Sequence, residues 1–220
     1  MNTIKKAREI KFIPDFEPDF QYEVSIADFV PYSEKLIGEK SPVVKGDTIP
    51  YFTIPKDSGI WQDTFSKTNK TYITLDEFIS YKPLVISFHS SEWGEYGKLH
   101  LEALERAYSK INALGGNLLV LSTEIPDQIK NLIDKYNFSF SIVNDYENII
   151  SSKFGVFSER NPLWQRVSGI ENNVPSPSTF VLSQNQTIAY DFINETLDSI
   201  FSVRDVLTAV YTIKNIKQTA

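Results

Sequence analysis

The sequence predicts an α/β fold, a mixed central sheet with helices on both faces, and three observations point to it. Residues 83–89 (PLVISFH) are a short apolar run rich in β-favouring Val, Ile and Phe, the pattern of a fully buried strand. From Leu99 on, Leu101, Leu104, Tyr108 and Ile111 recur at spacings of three and four until Gly115-Gly116 ends the run, which predicts an amphipathic helix. Beyond it, strand-like and helix-like runs alternate and finish in a hairpin and a helix. The resulting order, β-α-β-α-β-α-β-β-α, is that of a sheet covered on both sides.

Residues 1–45 carry Pro14, Pro18, Pro31 and Pro42 with aromatics between them and no sustained period. They predict a loosely structured arm with a short helix at 25–30. The domain proper runs from Gly46 to the end of the chain. Residues 60–65 and 71–75 are β-like runs about a polar turn, 67–70, and predict a hairpin. Thr74 is placed to cap a short helix over 75–80 before the central strand. Two serines, Ser90 and Ser91, follow that strand with hydroxyls suited to helix capping, and Glu92 and Glu95 fall where a helix dipole favours negative charge.

After the long helix, residues 117–122 predict a second, parallel strand. Pro126 suits the first turn of a helix with Ile129, Leu132, Ile133 and Tyr136 on one face. Residues 139–143 predict a third strand. Asp145 as N-cap and Gly155 as stop bound a helix carrying Ile149, Ile150 and Phe154. Residues 156–173 have no clean period and form an insertion within the domain. Residues 179–183 and 187–193 predict an antiparallel hairpin about 184–186. Ser202, with Asp205 three residues on, opens the last helix through Val206, Leu207, Val210 and Tyr211.

The net charge of −6 and pI near 5.1 give no support for nucleic-acid or anionic-membrane partners. No apolar run approaches a membrane span, and the amino terminus has basic residues but no apolar core or cleavage site of a signal peptide, so a cytoplasmic location is expected. The chain has no cysteine. Disulfides, thiolate nucleophiles and cysteine metal sites are excluded together. No cofactor is expected.

The turn after the central strand carries a resemblance. Phe88, Trp93, Tyr96, Leu99, Leu101 and Leu104 resemble the F…W-C-P-Y-C-x-L-x-L-x-x-L signature of peroxiredoxin-like proteins, the alkyl hydroperoxide reductase / thiol-specific antioxidant (AhpC/TSA) family of the thioredoxin fold. The segment 46–54 is similar to the family's G-D-x-A-P-x-F-x-L entry. Residues 174–181 are similar to its P-x-P-x-T-F-V segment. The resemblance implies a thioredoxin-like three-layer sandwich, a tendency to homodimerise, and a cis peptide before Pro177 with that proline facing the turn. It also places Gly94 and Gly97 at the two redox cysteines, as vestigial positions. Ser91 keeps the hydroxyl three residues before the lost thiol, while Ser87 replaces the proline of that pattern.

No catalytic residue is assigned. The residues that could line a pocket at the old site are His89, Ser91, Trp93, Glu95, Tyr96 and Pro177. Packing of Trp93 and Tyr96 against Pro177 is favoured over a ligand floor. His89 and His100 are the only histidines. A metal between them and Glu92 or Glu95 is less favoured than His89 hydrogen-bonded under the turn and His100 on a solvated or half-buried helix face. A serine hydrolase built on Ser90 or Ser91 lacks a nucleophile elbow. The expected protein is redox-inactive and works by binding a protein partner or itself. The alternative is cysteine-free chemistry or small-ligand binding at the old site, through His89, Ser91 or Glu95.

Overall fold

Two short strands open the domain, β1 (Thr53–Pro55) and β2 (Gly59–Ile60), separated by a single 3-10 turn. β3 (Tyr72–Thr74) returns antiparallel to β1, pairing Ile54 with Ile73. Thr74 then caps α1 (Leu75–Ile79) in a reciprocal box: the Glu77 N–H donates to Thr74 Oγ1 (3.4 Å) and the Thr74 N–H to Glu77 Oε2 (3.0 Å). The structure, a computed structural model, describes residues 41–62, 67, 69–80 and 82–216. All of these lie in the unit Glu39–Ala220. The expected arm, apart from 41–45, and its helix at 25–30 fall outside the described residues.

The central strand β4 (Leu84–His89) is buried at every position. It leads to α2 (Glu95–Ala113), then β5 (Asn117–Ser122), α3 (Pro126–Tyr136), β6 (Ser141–Asn144) and α4 (Ile149–Lys153). β7 (Ser178–Leu182), β8 (Ile188–Ile193) and α5 (Val203–Ile216) complete the chain. The main sheet has the order β2-β6-β5-β4-β7-β8. β4 and β5 are parallel, as are β5 and β6, whereas β7, β8 and β2 run antiparallel to their neighbours.

Alternation along β4 decides what the site receives. Leu84, Ile86 and Phe88 enter one core layer with Phe78, Phe154 and Phe180. Val85 enters the other, against Leu101 and Leu104 of α2, Ile129 and Ile133 of α3, and Val206 and Val210 of α5. A strand's side chains alternate between faces, so Ser87 and His89 share the α2 face with Val85. Two polar side chains are thereby sent into an apolar layer, each needing a partner there.

The structure corrects the expected hairpin of 60–65 with 71–75. Residues 72–74 pair with β1, and Gly59-Ile60 adds to the far edge of the main sheet, Ile60 opposite Ile142. The chain is held there by the Gln62 N–H on Ser141 Oγ (3.0 Å) and Gln62 Nε2 on the Phe138 carbonyl (3.1 Å), while Trp61 stacks on Phe78 at 6.1 Å. Residues 63–66 lie outside the described residues. A local hairpin signal lost to non-local pairing because Trp61 has a core to enter.

The peptide before Pro177 is trans, and no cis peptide occurs among the described residues. This corrects the expectation carried by the P-x-P-x-T-F-V resemblance. The segment enters β7 already extended: the Ser176 N–H donates to the Val156 carbonyl and the Asn194 N–H to the Pro177 carbonyl, both at 2.8 Å. A residue before proline favours extended backbone, and trans is the default for such bonds. Residues 156–173 are irregular apart from one 3-10 turn, Leu163–Gln165, as their lack of period suggests.

Candidate functional site

The turn between β4 and α2 is built from backbone first. Ser90 caps a 3-10 turn (Ser91–Trp93) by accepting from the Glu92 N–H at 3.3 Å. Gly94 then breaks it with φ +56° and ψ −130°. That is the mirror image of extended backbone, open to glycine and strained for every L side chain. A Cβ on Gly94 would meet nothing within 4 Å, so the constraint is conformational and not steric. At Gly97 the reverse holds. A Cβ there would lie 2.8 Å from the Ser90 carbonyl oxygen and 3.4 Å from His89 Nε2. The first turn of α2 can pass this close to the end of β4 because position 97 has no side chain.

Beneath the turn lies a chain of rings. His89 meets Trp93 edge-on at 5.7 Å, and Trp93 meets Tyr96 at 6.1 Å and His100 at 5.9 Å. His100 in turn stacks near Tyr96 at 6.1 Å and meets Phe201 of the segment before α5 at 5.2 Å. Trp93 is 3% exposed, donates Nε1–H to the Pro175 carbonyl (3.2 Å), and packs with Leu163, Ile170 and Val174. Tyr96 donates its hydroxyl to the Ser199 carbonyl at 2.7 Å. Burial pushes its phenol up to about 12 against the opposing hydrogen bond from Asn194. The 174–177 loop therefore reaches Trp93 through Val174 and Pro175. Pro177, also buried, is tied to Asn194.

The site's carboxylate is one the sequence reading missed. Glu124, 8% exposed, accepts the Ser91 N–H (2.7 Å) and Ser91 hydroxyl (2.6 Å) on Oε1, with Thr123 Oγ1 at 3.1 Å. Its Oε2 faces the Ser122 hydroxyl and His89 Nδ1, the latter at 3.2 Å. Burial pushes the Glu124 carboxyl up. The hydrogen bond and charge of His89, with the hydroxyls of Ser122 and Ser91, outweigh it and hold the group well below the usual carboxylate range. Glu92 and Glu95, the carboxylates of the turn itself, are engaged elsewhere. Glu92 accepts from Asn172 Nδ2 (2.9 Å), and Glu95, its side chain 86% exposed, lies 3.8 Å from Lys98. A cue was present in the sequence: Glu124 follows the carboxyl end of the strand beside β4, where α/β proteins gather their site residues.

His100 corrects another expectation, for it is fully buried. Its Nε2 meets Ser87 Oγ at 2.7 Å, and Ser87 Oγ donates to the Ser178 carbonyl (3.1 Å) with Thr179 Oγ1 2.8 Å away. His100 Nδ1 has no partner. Burial, and then the charge of His89, push the imidazole down to about 3. The unfolded chain binds a proton on this histidine below about pH 6.5, and the native chain does not until near 3. Stability therefore falls as pH drops through that window, by about 1.4 kcal/mol per pH unit and roughly 2 kcal/mol at pH 5. Urea unfolding at pH 7.5 and 5 measures it, and His100→Leu should flatten most of the difference. A wild-type protein equally stable at both values overturns the assignment. The Glu124 contribution is lost only at lower pH, as pH falls below 4.5, outside this window.

Of the residues singled out from the sequence, His89, Trp93, Tyr96 and Ser91 come together with Gly97. Glu95 stands apart in solvent. No group of three or more metal-ligating side chains occurs among the described residues.

The family model of the AhpC/TSA family matches residues 45–191. The chain belongs to the AhpC/TSA family. Among curated relatives, it is 21% identical over 144 residues to a peroxiredoxin bcp of Coxiella burnetii, covering 66% of this chain and 84% of that protein. It is 23% identical over 153 residues to the chloroplastic peroxiredoxin Q of Gentiana triflora, covering 70% of this chain and 60% of that one. Among solved structures, AhpC of Mycobacterium tuberculosis superposes with a TM-score of 0.59 at 17% identity, over 80% of this chain and 96% of the other. Peroxidoxin BcpB of the same organism gives 0.58 at 15%, over 78% and 98%. The fold is thus the peroxiredoxin-like, thioredoxin-type α/β sandwich, in a family member that has no cysteine.

Proposed function

We propose that this AhpC/TSA family member is redox-inactive and works by binding a protein partner or a second copy of itself. The observation that carries the reading is the Gly94 backbone. The position that resembles the peroxidatic cysteine lacks a thiol and holds a backbone conformation that is strained for any side chain. Cysteine-free chemistry at the same turn finds little support. Ser91 and His89 Nδ1 are spent on Glu124, Trp93 and the rings fill the space under the turn, and Glu95 is in solvent.

The binding half of the reading draws on exposed apolar side chains beyond the carboxyl ends of three neighbouring strands. These are Leu99 (46% exposed) after β4, Ile125 (56%) after β5, and Tyr146 (66%) and Ile149 (44%) after β6. Large apolar groups gathered at one end of a sheet suit an interface. A cytoplasmic setting, expected from the sequence, goes with the proposal. No helix among the described residues is long and apolar enough to cross a membrane.

The purified protein should consume hydrogen peroxide no faster than buffer, and turnover that survives metal chelation sinks the redox-inactive reading. Native mass spectrometry of protein from its own host should show a dimer or a bound partner. The pair Ile125→Glu and Tyr146→Glu should abolish that mass at unchanged melting temperature. A bare monomer throughout, or an assembly indifferent to both substitutions, rejects the binding surface.

A further inference from the structure

Behind the Trp93 cluster, on the side of the 156–173 insertion, lies a cavity of about 230 Å³. Val156, Leu163 and Val174 supply its apolar wall, and the last two also pack on Trp93. Its polar groups are of both signs. The Arg166 side chain, 27% exposed, reaches Glu195 Oε2 with Nη1 at 2.9 Å, and the Glu195 side chain is 55% exposed. One Arg nitrogen is thus engaged in a guanidinium that offers five N–H donors. Ser176 also lines the cavity and is 3% exposed.

We propose that this cavity is a binding site for a small zwitterion of the α-amino-acid class. The ligand carboxylate would take the free donors of Arg166, whose planar fork matches it, together with the Ser176 hydroxyl. The ligand ammonium would take Glu195. A simple anion fits less well, because it meets Glu195 as soon as it meets Arg166. The volume limits the ligand to a small one, below the range of drug-sized pockets. This site is distinct from the turn at Gly94 and does not depend on the redox-inactive reading.

Titration calorimetry on the full chain tests it, with glycine and L-serine as zwitterions and acetate and inorganic phosphate as anions. The amino acids should bind with a Kd at or below about 10 mM, and the anions at least about tenfold more weakly. Arg166→Met should weaken amino-acid binding by at least about tenfold, and Ser176→Ala by about fivefold or more. Glu195→Gln, a change at an exposed side chain that leaves the fold intact, should weaken the amino acids and not acetate. No binding of either amino acid at about 20 mM overturns the proposal. So do anions that bind as tightly as amino acids, or titrations that neither Arg166→Met nor Glu195→Gln changes.

Discussion

Glu124→Ala should lower the unfolding free energy by about 3 kcal/mol. The carboxylate joins three segments distant in sequence: His89 at the end of β4, Ser91 in the following turn, and Ser122 at the end of β5. Truncation to alanine removes the acceptor of the Ser91 N–H and leaves the buried Ser122 hydroxyl and His89 ring without this partner, and each buried donor without a partner costs about 1–3 kcal/mol. Glu124→Gln separates charge from hydrogen bonding. Its oxygen can still accept from Ser91 while its amide faces Ser122 and His89, so a loss of only about 1 kcal/mol is expected. Urea denaturation at pH 7.5 gives both values, and amide exchange at Ser91 should accelerate in the alanine variant alone. If alanine and glutamine cost the same, the carboxylate's charge, and not its geometry, holds the turn. A loss below about 0.5 kcal/mol for both would mean that the turn is held by Trp93 and its neighbours instead.

The layer order was legible in the sequence because it rests on strong local signals. Residues 84–89 are mostly apolar and β-favouring, the Leu101–Ile111 spacing is helical, and Pro126 and Gly115-Gly116 punctuate the units. The hairpin at 60–75 was misread because Trp61 and Gln62 are fixed by contacts with Phe78, Phe138 and Ser141, far away in the chain. The site was half legible. Trp93, Tyr96 and the two glycines stand within one octapeptide, whereas Glu124 comes to His89 only through the parallel register of β4 with β5, which sets His89 opposite Ser122. His100 was assigned to a wetter face because helical spacing alone leaves it beside Leu101, and nothing local reveals that Ser87 points at it from below. Two polar residues that answer each other across a sheet-helix interface look, in sequence, like two exceptions.

Rebuilding the redox motif by Gly94→Cys with Gly97→Cys should cost roughly 2–6 kcal/mol and restore no peroxide turnover. Carboxylates beside a thiol raise its pKa, and Glu92 and Glu95 stand on either side of position 94 in sequence. Their side chains are engaged with Asn172 and Lys98 in solvent, so the obstacle lies in the backbone. A cysteine at 94 has room but must hold φ near +56° and ψ near −130°, which costs about 1–3 kcal/mol. A cysteine at 97 has ordinary helical backbone but sets its Cβ 2.8 Å from the Ser90 carbonyl, so β4 and α2 must separate, again for about 1–3 kcal/mol. The two sit in one turn and need not add. Alanine controls decide between strain and thiol chemistry. Gly94→Ala and Gly97→Ala should lose nearly as much stability as their cysteine counterparts, since the Cβ, and not the sulfur, is the cause. Alanine variants that melt with the wild type would show that the turn adapts freely, and any peroxide consumption by the double cysteine variant would show that it adapts to the catalytic geometry. If instead all four substitutions destabilise and none reacts, glycine at 94 and at 97 is required for the fold, and thiols at those positions do not restore the site.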